Sequence, residues 1–403
     1  MKKTIIDNIR SEEIAPFLQQ MVQIATVNPP GNEKKCAKIV AEKLSELGFE
    51  VGLFEAEKDR TNVVGILKGS GGGSNLLLYS GHLDVVAVGD ADDWEFEPFS
   101  GKIENGKIYG RGTADHKGTI AASLFAMQSL IESEIRLKGD IVFVAAADEE
   151  MLGRKGAEFL VKNKLVYGDM GIVATPKGGG DTISIASMGY LWAKVTIAGK
   201  QAHAGNPEEG INAIYKATDL IHALRQITFK KKMKLIPTRD STGLLSVTII
   251  KSGFKTNIIP GKADVFVERR LVPGETPEEA LAQLQAVVNN LQSKDKDFSA
   301  DIEVIDADIG AFISEEEPIV AALKRNIYDI LGFQPRVGGS SGISDSRHFI
   351  NLAKIPMASW GIGGYGADGE FLMHAPNEYI SLSELYDFAK VLAATVIDIC
   401  GYE

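Results

Sequence analysis

The run Leu76-Leu77-Leu78-Tyr79-Ser80-Gly81-His82-Leu83-Asp84 indicates the fold class and holds the first candidate functional residues. Residues 76–80 form a nearly continuous apolar run, which is typical of a strand buried on both faces of a parallel sheet. His82 and Asp84 follow where this strand ends, and α/β sheets place their sites at strand ends. Because residues i and i+2 of an extended segment face the same side, the two side chains can share one pocket. Taken alone, such a pair is more often an ordinary structural pair at a strand edge.

Strands and helices alternate on both sides of this run. The sequence pattern predicts further strands at 61–67, 140–147 and 356–360, and helices within 11–47 and at 118–133, 155–164 and 317–331. Such alternation is typical of a mostly parallel sheet with helices on both faces. We therefore predict an α/β fold built around residues 76–84.

The middle of the chain has a different pattern. Alternating strands are predicted near 191–197, 244–250, 262–268 and 302–305, and helices near 210–225 and 277–291. Their order, βαββαβ, is the ferredoxin-like pattern. We therefore predict an α/β domain with its first part at 1–186 and its second part at 309–403. An inserted α+β domain is predicted at 187–308.

The composition argues against several classes of protein. The 403 residues carry a formal net charge of -11, and without a Lys/Arg surplus a nucleic-acid partner is not expected. Two cysteines, Cys36 and Cys400, are too few for a disulfide framework and match no zinc-binding spacing. No apolar run approaches the roughly 20 residues that cross a bilayer, and no signal peptide is recognisable. We expect a cytoplasmic protein without a membrane partner.

Two acidic motifs follow further along the chain. Asp115 comes after the glycine-rich segment 109–114 at the start of a predicted helix, where it can cap the helix or bridge two cations. Asp148, Glu149 and Glu150 come directly after a buried strand, and a cation is the usual way to offset their mutual repulsion. Because neighbours in an extended chain point opposite ways, one glutamate can bind metal while the other faces water. A helix cap and a solvated acidic loop are the structural alternatives.

The fourth candidate is His374, within Phe371-Leu372-Met373-His374-Ala375-Pro376-Asn377-Glu378. A lone histidine in a partly apolar run is more often structural than a ligand. Considered together, however, and counting His116 directly after Asp115, the four motifs contain three of the six histidines, and most of the motifs follow a strand or open a helix. This combination favours a hydrolytic metal site.

In this order and spacing the motifs resemble the zinc-dependent exopeptidases and deacylases that include aminoacylase, carboxypeptidase G, acetylornithine deacetylase and succinyl-diaminopimelate desuccinylase. The matching positions are Ser80-Gly81-His82-Leu83-Asp84-Val85-Val86, Trp94, Pro98, Asn105-Gly106-Lys107-Ile108-Tyr109-Gly110-Arg111-Gly112-Thr113-Ala114-Asp115, Asp148-Glu149-Glu150, Gln201-Ala202-His203-Ala204, Thr256-Asn257-Ile258-Ile259-Pro260, Ser344-Asp345-Ser346-Arg347 and His374. They extend over essentially the whole chain. They are specific for the family and much less so for any one substrate.

The resemblance implies roles for the matching residues of the α/β domain. The metal ligands would be His82, Asp115, Glu150 and His374. Asp115 would bridge two ions, with His82 on one side and His374 with Glu150 on the other. Glu149 would be the general base, and Asp84 would orient His82. The metal would be zinc, as one ion or two, with cobalt or manganese as possible substitutes.

The resemblance also implies that the α/β domain is catalytic and that the inserted domain at 187–308 is a lid or dimerisation domain. His203 would reach the active site of a neighbouring subunit and stabilise the oxyanion, which implies a homodimer. Asn257 and Arg270 would hold the carboxylate of the substrate, with help from Ser344 and Arg347. A polar surface histidine is the structural alternative for His203, and a solvated loop is the alternative for Ser344 and Arg347.

One position departs from the family pattern. Members usually carry Glu or Asp where Thr175 precedes Pro176, and that carboxylate ligates the metal held by His82. A hydroxyl is a much poorer ligand. His116 is a second oddity, because small or apolar residues are more familiar there. The sequence leaves open a single-metal enzyme, a site completed by water, His116 or Asp181, or a catalytically weakened relative.

These observations predict metal-dependent hydrolysis of an amide bond in a small N-acyl amino acid, as in a deacetylase or a desuccinylase. A dipeptidase or a carboxypeptidase is the alternative with the same chemistry and a peptide substrate. A non-catalytic binding protein is the alternative that Thr175 favours.

Overall fold

The computed structural model describes residues 2–176, 179–236, 239–366 and 368–403. The chain divides into two compact units. Unit 1 comprises the chain up to Ile185 together with Ile313–Gly338 and Ser344–Glu403, and unit 2 comprises Ala186–Phe312 and Gly339–Ile343. The segment 187–308 that we predicted as an inserted domain falls within unit 2, whereas 339–343 cluster with unit 2 although we had assigned them to the α/β domain.

Helices and strands are numbered in chain order. The helices are α1 (Lys2–Asp7), α2 (Ser11–Val22), α3 (Lys34–Glu46), α4 (Gly118–Glu132), α5 (Ala157–Lys162), α6 (Ala213–Leu224), α7 (Pro277–Lys294), α8 (Pro318–Leu331), α9 (Ser346–His348) and α10 (Leu382–Cys400). The strands are β1 (Glu50–Glu57), β2 (Arg60–Leu67), β3 (Leu76–His82), β4 (Lys102–Glu104), β5 (Lys107–Tyr109), β6 (Ile141–Ala146), β7 (Met170–Ala174), β8 (Thr182–Ser187), β9 (Gly189–Ala198), β10 (Ala202–His203), β11 (Lys232–Ile236), β12 (Arg239–Thr242), β13 (Leu244–Ser252), β14 (Ile258–Ile259), β15 (Lys262–Leu271), β16 (Ser299–Asp308), β17 (Ala311–Phe312), β18 (Arg336–Ser340), β19 (Met357–Trp360) and β20 (Tyr379–Ser381).

The central sheet of unit 1 has the strand order β1-β2-β6-β3-β7-β19-β8. Its middle strands are parallel, because β3 pairs in parallel with both β6 and β7, and β19 pairs in parallel with β7. Antiparallel pairs lie on either side of them. Every residue of β3 and of β6 is buried, as the apolar runs predict for strands covered on both faces.

Helices cover both faces of this sheet. Along β3, Leu76 and Leu78 pack into the core formed with α2, α3, α4, α8 and α10. Leu77 and Tyr79 pack into the opposite core, which α5 and Phe349 complete. This alternation follows from the two-residue period of a strand. The predicted α/β fold is therefore confirmed for unit 1.

Helix α4 begins three residues after Asp115 and lies deep in the first core. All of its residues from Gly118 to Leu130 are buried, so it is enclosed on every side. It packs against α2, α10 and β3. A rigid, enclosed helix thus anchors the segment that carries Asp115. Among the described residues, no helix combines the length and the apolar content needed to cross a membrane.

Unit 2 contains a four-stranded antiparallel sheet in the order β13-β15-β9-β16. In chain order the elements are β9, α6, β13, β15, α7 and β16, which is the ferredoxin-like arrangement predicted from the sequence. The alternating buried residues of β9 and β15 pack against α6 and α7. Strand β13 lies at one edge, and its Leu244, Ile249 and Ile250 are exposed.

Candidate metal centre

The carboxyl ends of two neighbouring parallel strands bring the first site residues together. Strand β3 ends at His82, and β6 ends at Ala146, two residues before the acidic turn Asp148-Glu149-Glu150. In the ladder His82 lies opposite Ala146, so the imidazole and the acidic turn share one edge of the sheet. This is the edge at which α/β sheets place their sites.

Asp115 lies between two imidazoles. Its Oδ1 is 3.1 Å from Nε2 of His82, and its Oδ2 is 3.3 Å from Nε2 of His374. Burial alone would raise the pKa of the Asp115 carboxyl, but the His374 and His82 imidazoles hold it well below its usual range. A carboxylate with one oxygen toward each imidazole has the geometry to bridge two cations.

Glu150 completes a group on the His374 side. Its Oε2 is 3.2 Å from Nε2 of His374, while its Oε1 is buried and accepts no hydrogen bond from the described residues. The Asp115 and Glu150 carboxylates raise the pKa of His374 to about 10, so this position attracts positive charge. Ligand atoms of Asp115, Glu150 and His374 all lie within 4.8 Å of one another. The donor set and the unpartnered oxygen fit a divalent cation.

Asp84 contacts both the His82 imidazole and the acidic turn that carries Glu149 and Glu150. The Nδ1 of His82 is 2.8 Å from the Asp84 backbone oxygen and 3.5 Å from its carboxylate, so the backbone carbonyl is the nearer partner of the imidazole. The carboxylate accepts hydrogen bonds from the backbone N–H groups of Glu149 and Glu150, each 3.2 Å away. Asp84 thus holds the acidic turn in place as well as the imidazole.

Glu149 projects toward the His82 side of the site. Its Oε2 is 3.7 Å from Nε2 of His82. Burial raises the pKa of the Glu149 carboxyl well above its usual value despite the opposing effect of His82, and Asp345 and Glu150 raise it further. A carboxyl group with a raised pKa suits proton transfer near neutral pH.

The sequence motifs included Glu378 but gave it no role, and the structure places it at the centre of the Asp115 segment. One carboxylate oxygen accepts hydrogen bonds from the backbone N–H groups of Gly112, Ala114 and Asp115, at 3.1, 2.9 and 3.0 Å. The other oxygen accepts from Nη1 of Arg111 at 2.7 Å. The same guanidinium donates to the backbone oxygen of His374 at 3.2 Å. The buried pair therefore joins the Asp115 and His374 segments.

A second buried network was also missed. Arg60 donates to Glu33 and to Asp148, with a distance of 2.8 Å in each case. Asn28 donates to Asp84 at 2.8 Å and to Asp148 at 3.3 Å. This network links the start of β2 to the acidic turn. Its only sequence signal is a charged residue, Arg60, directly before an apolar strand pattern.

His116 belongs to a second group of candidate ligands, with His82 and Asp115, whose ligand atoms also lie within 4.8 Å of one another. Thr175 follows the last residue of β7, the strand next to β3. Asp181, the other carboxylate that we considered for this side, forms an ion pair with Arg336 and is half exposed. The structure therefore brings His116, and not Asp181, to the described ligand group.

Ser344 and Arg347 lie in unit 1 on either side of Asp345. Arg347 is buried and donates to the backbone oxygens of Ser344 and Leu152, at 3.0 and 2.6 Å. Asp345, for which the sequence predicted no role, accepts a hydrogen bond from the hydroxyl of Tyr79 at 2.7 Å. The turn between the two predicted residues thus holds the carboxylate that raises the pKa of Glu149.

Unit 2 carries His203, Asn257 and Arg270. Strands β10 and β14 pair His203 with Ile258, and the Ala204 N–H donates to the Asn257 backbone oxygen, so His203 and Asn257 are neighbours. Both are exposed. Arg270 lies near the far end of β15, about 26 Å along the strand from Lys262 at roughly 3.3 Å per residue. Arg270 is therefore well separated from the other two within unit 2.

A family model described as peptidase family M20/M25/M40 matches residues 78–398. The chain belongs to this family. Succinyl-diaminopimelate desuccinylase of Beijerinckia indica is 29% identical over 386 residues, covering 93% of this chain and 96% of that one. An uncharacterized metallohydrolase of Methanocaldococcus jannaschii is 27% identical over 412 residues, covering 94% and 98%.

The fold is also that of a solved M20 protein. The M20 family metallo-carboxypeptidase of Sulfolobus solfataricus superposes with a TM-score of 0.80 at 21% identity, covering 96% of this chain and 99% of that one. The family and the fold class predicted from the sequence are confirmed. As a member of the M20 family, the protein is a metal-dependent hydrolase.

Proposed function

We propose that this M20 hydrolase cleaves the amide bond of a small N-acyl amino acid, with zinc as its metal. The observation that carries the proposal is the position of Asp115 between His82 and His374, with the Glu149 carboxylate 3.7 Å from the His82 imidazole. The ligands of the metal would be His82, Asp115, Glu150 and His374. When bound, the metal would polarise the carbonyl of the substrate and stabilise the charge that develops on its oxygen.

Glu149 is the proton carrier of the proposed reaction. It takes a proton from water as the water oxygen bonds to the carbonyl carbon, and it then gives that proton to the amide nitrogen as the carbon–nitrogen bond breaks. The products are a free carboxylate and a free amine. Asp84 contributes by fixing the backbone of Glu149 and the His82 imidazole. The raised pKa of Glu149 supports this assignment.

Unit 2 would supply the groups that recognise the substrate. We assign oxyanion stabilisation to His203 and binding of the substrate carboxylate to Asn257 and Arg270. Ser344 and Arg347, which lie in unit 1, would help to bind that carboxylate. Gly205 N–H donates to Nδ1 of the exposed His203 at 3.0 Å, so this nitrogen carries no proton and Nε2 does. A neutral imidazole with Nε2–H can donate to an oxyanion.

We also infer a homodimer, which the separation of two residues inside unit 2 supports. Because Arg270 lies about 26 Å along β15 from the end near Asn257, the two side chains cannot hold one small carboxylate from a single chain. In a dimer, His203 and Asn257 of one copy and Arg270 of the other could contact the same substrate. The exposed apolar residues of edge strand β13 suit such an interface. The free thiols Cys36 and Cys400 are consistent with a cytoplasmic location.

A specific observation favours each of two alternative functions. A carboxypeptidase or dipeptidase would use the same residues on a peptide bond, and a metallo-carboxypeptidase shares this fold. A binding protein without turnover is favoured by Thr175, which offers a hydroxyl in place of a carboxylate. The raised pKa of Glu149 favours catalysis over binding alone.

A hydrolysis screen with zinc would separate these candidates. The substrates are N-acetyl and N-succinyl amino acids and dipeptides, with ninhydrin detection of the released amine. We expect turnover of an N-acyl amino acid, and in Glu149→Gln a loss of at least about 100-fold with metal content unchanged. Exposed Glu55→Gln is the matched control and should keep full activity. Turnover of dipeptides alone would select the peptidase, and no turnover of any substrate would select the binding protein.

A further inference from the structure

We propose that His116 is a protein ligand of the ion on the His82 side, so that two imidazoles and the shared Asp115 carboxylate hold that ion. The proposal rests on the metal-dependent function proposed above and deepens it. It assigns a role to the residue that departs from the usual M20 pattern directly after Asp115.

The positions of the three side chains support this assignment. Nε2 of His116 is 3.5 Å from Oδ1 of Asp115, and Nε2 of His82 is 3.1 Å from the same oxygen. The two imidazole rings are tilted by 44° relative to each other, with centroids 4.5 Å apart. Both residues are buried. Two imidazoles thus converge on one carboxylate oxygen from different elements, the end of β3 and the turn before α4.

The hydrogen bonds of Thr119 identify the tautomer of His116. The Thr119 hydroxyl has one proton, and its partners include the backbone oxygens of Ser80 and His116, at 2.9 and 2.8 Å. Because both of those atoms are acceptors, the hydroxyl proton goes to them. The hydroxyl oxygen, 3.2 Å from Nδ1 of His116, therefore accepts the Nδ1 proton. Nε2 of the same ring lies on the Asp115 side, 3.5 Å from Oδ1 of Asp115.

His82 is arranged in the same way. Its Nδ1 lies 2.8 Å from the Asp84 backbone oxygen, so Nδ1 carries a proton, and its Nε2 faces Oδ1 of Asp115 at 3.1 Å. An imidazole that donates from one nitrogen to a fixed oxygen and presents the other is the usual state of a metal-binding histidine. Both histidines of this group therefore place Nε2 beside Oδ1 of Asp115.

Among the described residues of β7 and of the segment that follows it, no charged side chain belongs to a candidate ligand group. β7 ends at Ala174 and is followed by Thr175, whose hydroxyl is a weak ligand. Asp181 is engaged by Arg336. Among the described residues, the candidate ligand groups are the one of His82, Asp115 and His116 and the one of Asp115, Glu150 and His374. His116 thus occupies the remaining place on the His82 side.

The two ions would then differ in their ligands. The His82 side has two imidazoles and one carboxylate, whereas the His374 side has one imidazole and two carboxylates. Imidazole favours zinc, cobalt and nickel, whereas carboxylates also accept manganese and magnesium. We therefore expect manganese to replace zinc on the His374 side more readily than on the His82 side.

The test counts bound zinc and identifies its ligands independently of turnover. After reconstitution and dialysis, the wild-type chain should retain two zinc ions and His116→Ala one, with an unchanged circular dichroism spectrum. Exposed His222→Ala is the matched control and should retain two. His116→Ala with two zinc ions would overturn the proposal.

Two cobalt measurements keep the test independent of that variant's stability. In His116→Cys loaded with cobalt, a thiolate-to-cobalt charge-transfer band should appear, because the natural Cys36 and Cys400 are buried elsewhere. In the cobalt-loaded wild type with labelled histidine, paramagnetically shifted ring signals should come from three histidines. Only two shifted histidines would overturn the proposal. Three shifted histidines without hydrolysis of any substrate would instead contradict the proposed function and leave this ligand assignment standing.

Discussion

Arg111 and Glu378 form a buried ion pair, with 2.7 Å between Nη1 and Oε2, that fixes the Asp115 and His374 segments at once. Glu378 accepts the backbone N–H of Asp115, and Arg111 donates to the backbone oxygen of His374. The residues are 267 positions apart in the chain. The spacing between the Asp115 carboxylate and the His374 imidazole therefore depends on a pair that touches neither cation position.

Glu378→Gln should lower both stability and metal retention. The substitution leaves the buried Arg111 charge without its counter-charge, and loss of one partner of a buried pair typically costs about 3–5 kcal/mol. Urea unfolding and zinc content would measure the two effects. Arg336→Met, which breaks the exposed pair with Asp181, is the control and should cost about 1 kcal/mol or less. A Glu378→Gln protein as stable as the control would show that the pair is dispensable.

Asn28→Ala should reduce turnover without removing a reacting group. Asn28 donates to Asp84 and Asp148, and Asp84 holds the backbone of Glu149. The two oxygens keep the Glu150 N–H and Arg60 as donors, so the variant loses only the Asn28 hydrogen bonds, and a hydrogen bond to a charged group typically contributes about 1.5–3 kcal/mol to the free energy of unfolding. We expect kcat to fall more than KM rises. Exposed Asn289→Ala should change neither quantity, and unchanged kcat in Asn28→Ala would exclude the proposed link between this network and Glu149.

Gly153→Ala tests the packing of the turn behind Glu149. Gly153 has φ of 65°, and a Cβ there would collide with the carboxylate of Asp345. Gly332 has φ of 80° with open space around it, so Gly332→Ala carries only the backbone strain, roughly 1 kcal/mol. Thermal or urea unfolding should show the larger loss for Gly153→Ala. Equal losses would mean that Asp345 moves aside freely.

Cys400 should make stability depend on alkaline pH. Burial raises the pKa of its thiol to about 12, whereas an unfolded thiol titrates near about 8.5. Below about 8.5 both states keep the proton, so the thiol causes no pH dependence. Between about 8.5 and 12 only the unfolded chain loses it, and the free energy of unfolding falls by about 1.4 kcal/mol per pH unit from this group.

The comparison of the wild type with Cys400→Ala isolates that contribution. Urea unfolding between pH 8 and pH 10.5 should show a shallower decline in the variant, whatever its stability at neutral pH. Buried Cys36 also has a raised pKa, so some alkaline dependence remains. Identical slopes in the two proteins would contradict a buried, neutral Cys400 thiol.

The fold was predictable where burial leaves a periodic signal. The apolar runs of β3 and β6 predicted central parallel strands, and alternation in β9 and β15 predicted the ferredoxin-like unit. Strand β1 was missed because its residues are mostly exposed or half-buried and give no such pattern. An edge strand paired through its backbone needs no apolar run.

The candidate site was predictable only in part. Residues that end a strand or precede a helix, such as His82 and Asp115, can be located because the strand and the helix themselves are recognisable in the sequence. Arg60, Asp345 and Glu378 act through partners that are remote in the chain, and a sequence without its fold does not reveal such contacts. For Asp84 the sequence predicted the residue that contacts His82 but not the atom, because the backbone oxygen of Asp84 is nearer to the His82 Nδ1 than its carboxylate is.

The central claim is that four residues from distant parts of the chain bind divalent metal through a shared Asp115. X-ray diffraction from zinc-soaked crystals, recorded on both sides of the zinc absorption edge, tests it most directly. We predict anomalous peaks about 2.0–2.2 Å from Nε2 of His82 and of His374, with Asp115 contacting both ions and Glu150 contacting the one on the His374 side. Zinc peaks that lie elsewhere, with none at Asp115, would contradict the account.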